Sequence, residues 1–146
     1  IRDRSVSRGL GDVYKRQLHY IEDIVEIFQK VYRTLKPGGI FLFNIEHPVF
    51  TAGVGQDWIY TDDGKPQYWA IDNYFITGER NTHFLGCDVV KQHHTLTQII
   101  MGLLNNGFEL KVVEEAEPPK EMMDIPGMED ELRRPMMLLV KAIAKK

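Results

Sequence analysis

A single cysteine, Cys87, occurs in 146 residues, so no internal disulfide can brace the fold, which fits a reducing cytoplasm. No stretch approaches the roughly 18 consecutive apolar residues that a membrane-spanning helix needs. The polar, basic start also lacks the apolar centre of a secretory signal. Clustered positive charge is missing too. The formal net charge is −3, and the first 17 residues hold Arg2, Arg4, Arg8, Lys15 and Arg16 against Asp3 and Asp12. The remainder is therefore distinctly acidic. Such a body lacks the grouped Lys and Arg that grip nucleic-acid phosphates, which leaves a small molecule as the expected partner. The 43% hydrophobic and 27% charged content is that of one globular domain with its own core.

Residues 1–17 show no hydrophobic period, and no packed element is expected there. The stretch also back-translates to reagent DNA. Ser7 to Gln17 can be encoded by the adapter of a transposon-based sequencing library, and Ile1 to Asp3 by the end of the matching flow-cell primer. A natural, disordered basic arm is the alternative. The expectation is a disordered, non-native leader over 1–17 and a partial domain over 18–146.

Ile21, Ile24, Val25, Phe28, Val31, Tyr32 and Leu35 recur at helical spacing and form one apolar stripe. Acids lead this segment and bases close it, as a helix dipole favours. Lys36-Pro37-Gly38-Gly39 then stops the helix and supplies a tight turn. Ile40 to Ile45 is a nearly continuous apolar run, which predicts a strand buried on both faces of a helix-covered sheet. From Glu46 to about Gly78 the pattern dissolves into aromatics mixed with Gly, Pro, Asp and Asn, a long irregular insertion. Thr82 to Phe84 and Val89 to His93 predict a hairpin. Leu96 to Asn105 reads as a second helix capped by Thr95, Phe108 to Val113 as a strand, and Met136 to Ala144 as the last strand. Between them, Lys120 to Arg134 is an acidic connection with short helices.

Leu18-His19-Tyr20-Ile21-Glu22-Asp23, then Arg33-Thr34-Leu35-Lys36-Pro37-Gly38-Gly39 before an apolar strand, resembles class I S-adenosylmethionine (SAM)-dependent methyltransferases. In that family an LHY-type run closes the fourth strand and an R-x-LKPGG run leads into the fifth. The nearer resemblance is to the UbiE-like small-molecule group. It rests on Glu46-His47-Pro48-Val49-Phe50-Thr51-Ala52, His93-His94-Thr95-Leu96, Gly107-Phe108 and Arg133-Arg134-Pro135-Met136-Met137-Leu138 in that order, and it spans 18–146. The resemblance implies the C-terminal portion of a Rossmann-like, doubly wound α/β sheet with its fifth, seventh and sixth strands side by side. The last strand would run antiparallel between the other two. The glycine-rich loop that approaches SAM in this family does not occur here after any strand, so the chain is expected to be a fragment, inactive by itself, with an apolar open edge at Ile40 to Ile45.

The resemblance places Leu18, His19 and Tyr20 beside the cofactor SAM, and Glu46 and His47 towards the acceptor. Glu46 or His47 would serve as general base where an oxygen or nitrogen must lose a proton; otherwise they bond to loop backbone. Trp58, Tyr60, Trp69, Tyr74 and Phe75, with Tyr68, would wall the substrate or form the insertion's own small core. His83, His93 and His94 lack a recognised zinc spacing, so no metal is expected. Met122, Met123, Met128, Met136 and Met137 read as packing, and Arg133 with Arg134 as a solvated charge pair, the alternative being a hold on an anionic substrate. Two other readings stay open: a non-catalytic interaction or regulatory domain of Rossmann type, and a nicotinamide-dependent dehydrogenase. The latter would place the last strand parallel to its neighbours.

Overall fold

The computed structural model describes residues 18–146 and, as backbone alone, residues 12–15. After a 3₁₀ turn at Leu18–Tyr20 comes α1, Ile24–Thr34. Its N-cap is Asp23, whose carboxylate accepts from the Glu26 N–H at 2.8 Å. Ile24, Phe28 and Val31 form its buried stripe, and Leu35 turns to an extended conformation ahead of Lys36-Pro37. Gly38, at φ +75°, makes the turn into β2, Ile40–Glu46.

Four strands build the main sheet. These are β1 (Asp12–Lys15), β2, β7 (Phe108–Glu115) and β8 (Met137–Ala144), in the order β1-β2-β8-β7. β8 lies between β2 and β7 and runs antiparallel to both, so β2 and β7 are parallel to each other. This is the arrangement the resemblance implies for fifth, seventh and sixth strands, and it contradicts the all-parallel dehydrogenase reading.

Two expectations for β2 need correction. Phe41, Phe43 and Ile45 are buried, whereas Leu42 on the opposite face is 38% exposed. The strand is thus buried on one face, because α1 and α3 (Leu96–Leu104) share a single core with that face. The reading of 1–17 as a leader falls mostly outside the described residues. Within it, however, β1 pairs in parallel with Ile40 to Phe43, so β2 is not an open edge over those residues. Parallel pairing there satisfies backbone groups that would otherwise face solvent.

The insertion is more regular than its sequence suggests. A helical turn α2, Pro48–Thr51, leads into the antiparallel ribbon β3 (Gly53–Tyr60) and β4 (Pro66–Ile71). Its turn is tied by Thr61, whose N–H donates to the Lys65 carbonyl at 2.9 Å, with Gly64 at φ +80°. β5 (Gly78–Phe84) and β6 (Cys87–His93) form a second ribbon, longer at its start than expected. Leu85 and Gly86, both at positive φ, make a two-residue turn of the kind that matches strand twist. The capping box at α3 is complete: Thr95 accepts from Gln98 N–H, and Gln98 Oε1 accepts from Thr95 N–H.

Gly107 ends α3 at φ +89°, and a Cβ there would lie 2.7 Å from the Tyr32 ring. Gly107→Ala is therefore expected to cost about 1–3 kcal/mol from the left-handed backbone alone, with the ring contact adding to it. Urea denaturation checks this, and a cost below the lower bound would refute it.

Candidate functional site

β1 and β2 are parallel, and their carboxyl ends deliver Leu18–Tyr20 and Glu46–His47 to one place. Ligands of open α/β sheets lie beyond such strand ends. Leu18 is buried in the core, His19 is buried, and Tyr20 is exposed, its ring 4.3 Å from that of His19. His19 Nε2 stands 4.0 Å from Glu46 Oε1.

A residue not singled out from sequence completes this centre. Lys91 of β6 donates to Glu46 Oε1 at 2.7 Å and to Gln56 Oε1 at 3.1 Å. The side chains of Lys91 and Glu46 are 3% and 9% exposed, so this is a buried ion pair. It ties both ribbons of the insertion to the end of β2. Glu46 Oε2 and His19 Nδ1 are buried and have no hydrogen-bond partner among the described residues. Burial, opposed by Glu46 and assisted by Lys91, holds the His19 pKa below 6.5.

His47 is more fully committed. Its Nδ1 accepts from the Val49 N–H at 3.1 Å and caps α2, while Nε2 lies 2.8 Å from Glu115 Oε1, off the line of a well-formed hydrogen bond. His93 is wholly buried. Its Nε2 faces the Tyr74 carbonyl at 2.7 Å, which can only accept, so the proton sits on Nε2. Nδ1 then accepts from the Thr51 hydroxyl at 2.6 Å. His94 Nε2 donates to the Ile21 carbonyl at 2.9 Å, and His83 pairs with Asp88 at an exposed turn. The three histidines weighed as metal ligands thus point at three different partners.

Burial lowers the pKa of His19, His47, His93 and His94 alike. The unfolded chain therefore takes up protons just below pH 6.5 that the folded chain refuses. Stability is full above that pH and falls as pH drops, by up to about 1.4 kcal/mol per pH unit for each such histidine. Urea midpoints at pH 7.5 and 5.5 check this, and an unchanged midpoint would contradict it.

The aromatic candidates do not line one wall. Trp58 and Trp69 meet edge-to-face at 5.5 Å, and Phe50 stacks on Trp69 at 5.1 Å. The Arg134 guanidinium lies 4.5 Å from the Trp69 ring and 5.0 Å from that of Phe50, and Glu131 binds it through both oxygens at 2.8 and 3.0 Å. Arg134 is consequently 8% exposed, which corrects its reading as half of a solvated pair. Arg133 donates instead to the Pro66 and Gln67 carbonyls of β4 and lies over Trp58. Tyr60 stands apart, bonded to Asp57 at 2.9 Å, and Tyr68 is exposed. The Tyr74 hydroxyl accepts from Leu96 N–H, and Phe75 is 87% exposed. A hollow of about 780 Å³ lies between α1 and α3, and another of about 520 Å³ adjoins the start of β8. None of these aromatics lines either.

No family model and no curated protein matches the chain. Solved structures do. A Listeria monocytogenes protein described as an S-adenosylmethionine-dependent methyltransferase is 47% identical, with a TM-score of 0.88 over 93% of this chain and 62% of its own. An S-adenosylmethionine-dependent methyltransferase from Mesorhizobium loti is 36% identical, with a TM-score of 0.78 over 90% of this chain and 61% of its own. The glycopeptide N-methyltransferase MtfA, solved with S-adenosylmethionine, matches at 14% identity and a TM-score of 0.50, a likeness of fold alone. The chain spans about three fifths of the length of the first two. Over that span, its fold is that of the Rossmann-like S-adenosylmethionine-dependent methyltransferases.

Proposed function

We propose that the whole protein transfers a methyl group from S-adenosylmethionine to an oxygen, nitrogen or carbon of a small molecule. On this reading the 146 residues supply one flank of the cofactor site and the side facing the acceptor. The observation that carries it is the 47% identity to the Listeria structure at a TM-score of 0.88 across nearly the whole chain.

The buried groups at the β2 terminus fit the cofactor's chemistry. Glu46 Oε2 is an unused acceptor, and an ammonium or ribose hydroxyl of S-adenosylmethionine is a donor in need of one. When bound, the cofactor supplies an electrophilic methyl group on a sulfonium sulfur. Leu18, His19 and Tyr20 flank it. Lys91 fixes one oxygen of Glu46 and leaves the other to orient a donor or take a proton from the acceptor. His47, whose Nδ1 caps α2 and whose Nε2 lies beside Glu115, positions the loop rather than moving a proton. Trp58 and Trp69, braced by Arg134, hold the insertion together beside this end of the sheet and limit water, whereas Tyr60, Tyr74 and Phe75 stand apart from that cluster. Most of the rate then comes from alignment of the nucleophile with the methyl carbon.

Transfer of labelled methyl from S-adenosylmethionine to a panel of small alcohols, amines and activated carbons tests this on the whole protein. Transfer to at least one class is expected, and Glu46→Gln is expected to lower kcat by about 10²–10⁴-fold if Glu46 takes the proton. No transfer to any class, with S-adenosylmethionine unbound, would favour the non-catalytic Rossmann-like domain instead.

A further inference from the structure

The segment between β7 and β8 folds back on itself through Pro118-Pro119, a 3₁₀ turn at Lys120–Met122, Gly127 at φ +83° and a second 3₁₀ turn at Met128–Arg133. Between this strap and the start of β8 lies the hollow of about 520 Å³, a size that suits a small organic molecule. Met122, Met128, Met136 and Met137 line it, with three prolines. Thioether side chains are flexible and polarisable and adapt to a hydrocarbon surface. Two of the groove's lining residues, Met136 and Met137, are backbone neighbours of the centre described above. Met137 lies opposite Glu46 in the β2–β8 register, and the His47 N–H donates to the Met136 carbonyl at 2.8 Å.

Charge restricts the occupant. Glu117 and Glu131 stand in the lining, and no Lys, Arg or His does. Glu131 is occupied by Arg134, whereas Glu117 is exposed and makes no ion pair among the described residues. We propose that this groove holds the hydrocarbon body of the methyl acceptor, and that the acceptor is a neutral or cationic amphiphile rather than an anion. The inference rests on the methyl-transfer reading for its occupant, but the groove's preference is testable without turnover.

The whole protein is labelled with [¹³C-methyl]methionine, its signals are assigned by single Met→Leu changes, and n-octylamine and octanoate are titrated separately. The expected result is saturable shifts at Met122, Met128, Met136 and Met137 with octylamine, and none at Met101 on α3. Octanoate is expected to bind about fivefold to tenfold more weakly, and Glu117→Gln to narrow that gap. Equal or tighter binding of octanoate would overturn the proposal. So would an absence of saturable shifts, or equal shifts at Met101. A parallel titration of the same sample with S-adenosylmethionine separates the two readings, because failure at the groove with cofactor still bound sinks only the groove.

Discussion

Lys91→Met is expected to destabilise the fold by about 3–5 kcal/mol, because it leaves the Glu46 carboxylate buried with its cation removed. The pair is almost wholly shielded from water, and Lys91 holds Glu46 at 2.7 Å with Gln56 as its second acceptor. An exposed pair such as Lys30–Glu26 on α1 should contribute only about 0.2–0.5 kcal/mol. The difference lies in desolvation, since a surface carboxylate that loses its partner is rehydrated whereas Glu46 cannot be. Combining Lys91→Met with Glu46→Gln should recover most of the loss, as both charges are then gone. A double-mutant cycle by urea denaturation measures the coupling. A cost for Lys91→Met no larger than that of Lys30→Met would contradict a buried pair.

Phe28→Ala should be as damaging, at about 3–5 kcal/mol. Phe28 is fully buried, with the rings of Phe41 and Phe43 at 6.0 and 5.7 Å, so it joins α1 directly to β2. A Cβ on Gly102 would lie 3.2 Å from the Phe28 ring, which shows how closely α3 approaches the same side chain. Truncation opens a cavity among three elements that cannot all collapse into it. Because β2 carries Glu46 at its end, the variant should also lose activity beyond its loss of folded protein, as small misplacements at a reacting centre are costly. Phe28→Leu, which keeps most of the volume, should be much milder. If Phe28→Ala were no worse than Phe28→Leu by thermal unfolding, the packing account would fail.

Elements governed by local rules were legible in the sequence. The Ile24–Phe28–Val31 stripe and Lys36-Pro37-Gly38 fix α1 and its C-terminal end, although the helix starts after the Asp23 cap rather than at Ile21, and Thr95 fixes the start of α3. What sequence could not convey was set by distant partners. The IFLFNI run reads as doubly buried because its composition is apolar throughout, yet only alternate residues meet α1 and α3. The β3–β4 ribbon was legible in principle, from Asp63-Gly64 at its turn. Register irregularities between Gly53 and Trp58 and between Ile59 and Tyr60 broke the alternation that would have exposed it. Arg134 looked like surface charge until Phe50, Trp58 and Trp69, brought from far upstream, closed around it. Lys91 had no local signal, because it stands among Asp88, Gln92 and His93 in a strand of mixed polarity and its partner lies 45 residues earlier.

The most direct measurement is calorimetric titration of S-adenosylmethionine into the whole protein and, in parallel, into this 146-residue chain. Micromolar binding to the whole protein is predicted, with affinity for the chain alone weaker by about a hundredfold or more, since among the described residues no strand is followed by a glycine-rich loop. Equal affinity for the two, or no heat of binding with the whole protein, would contradict the account.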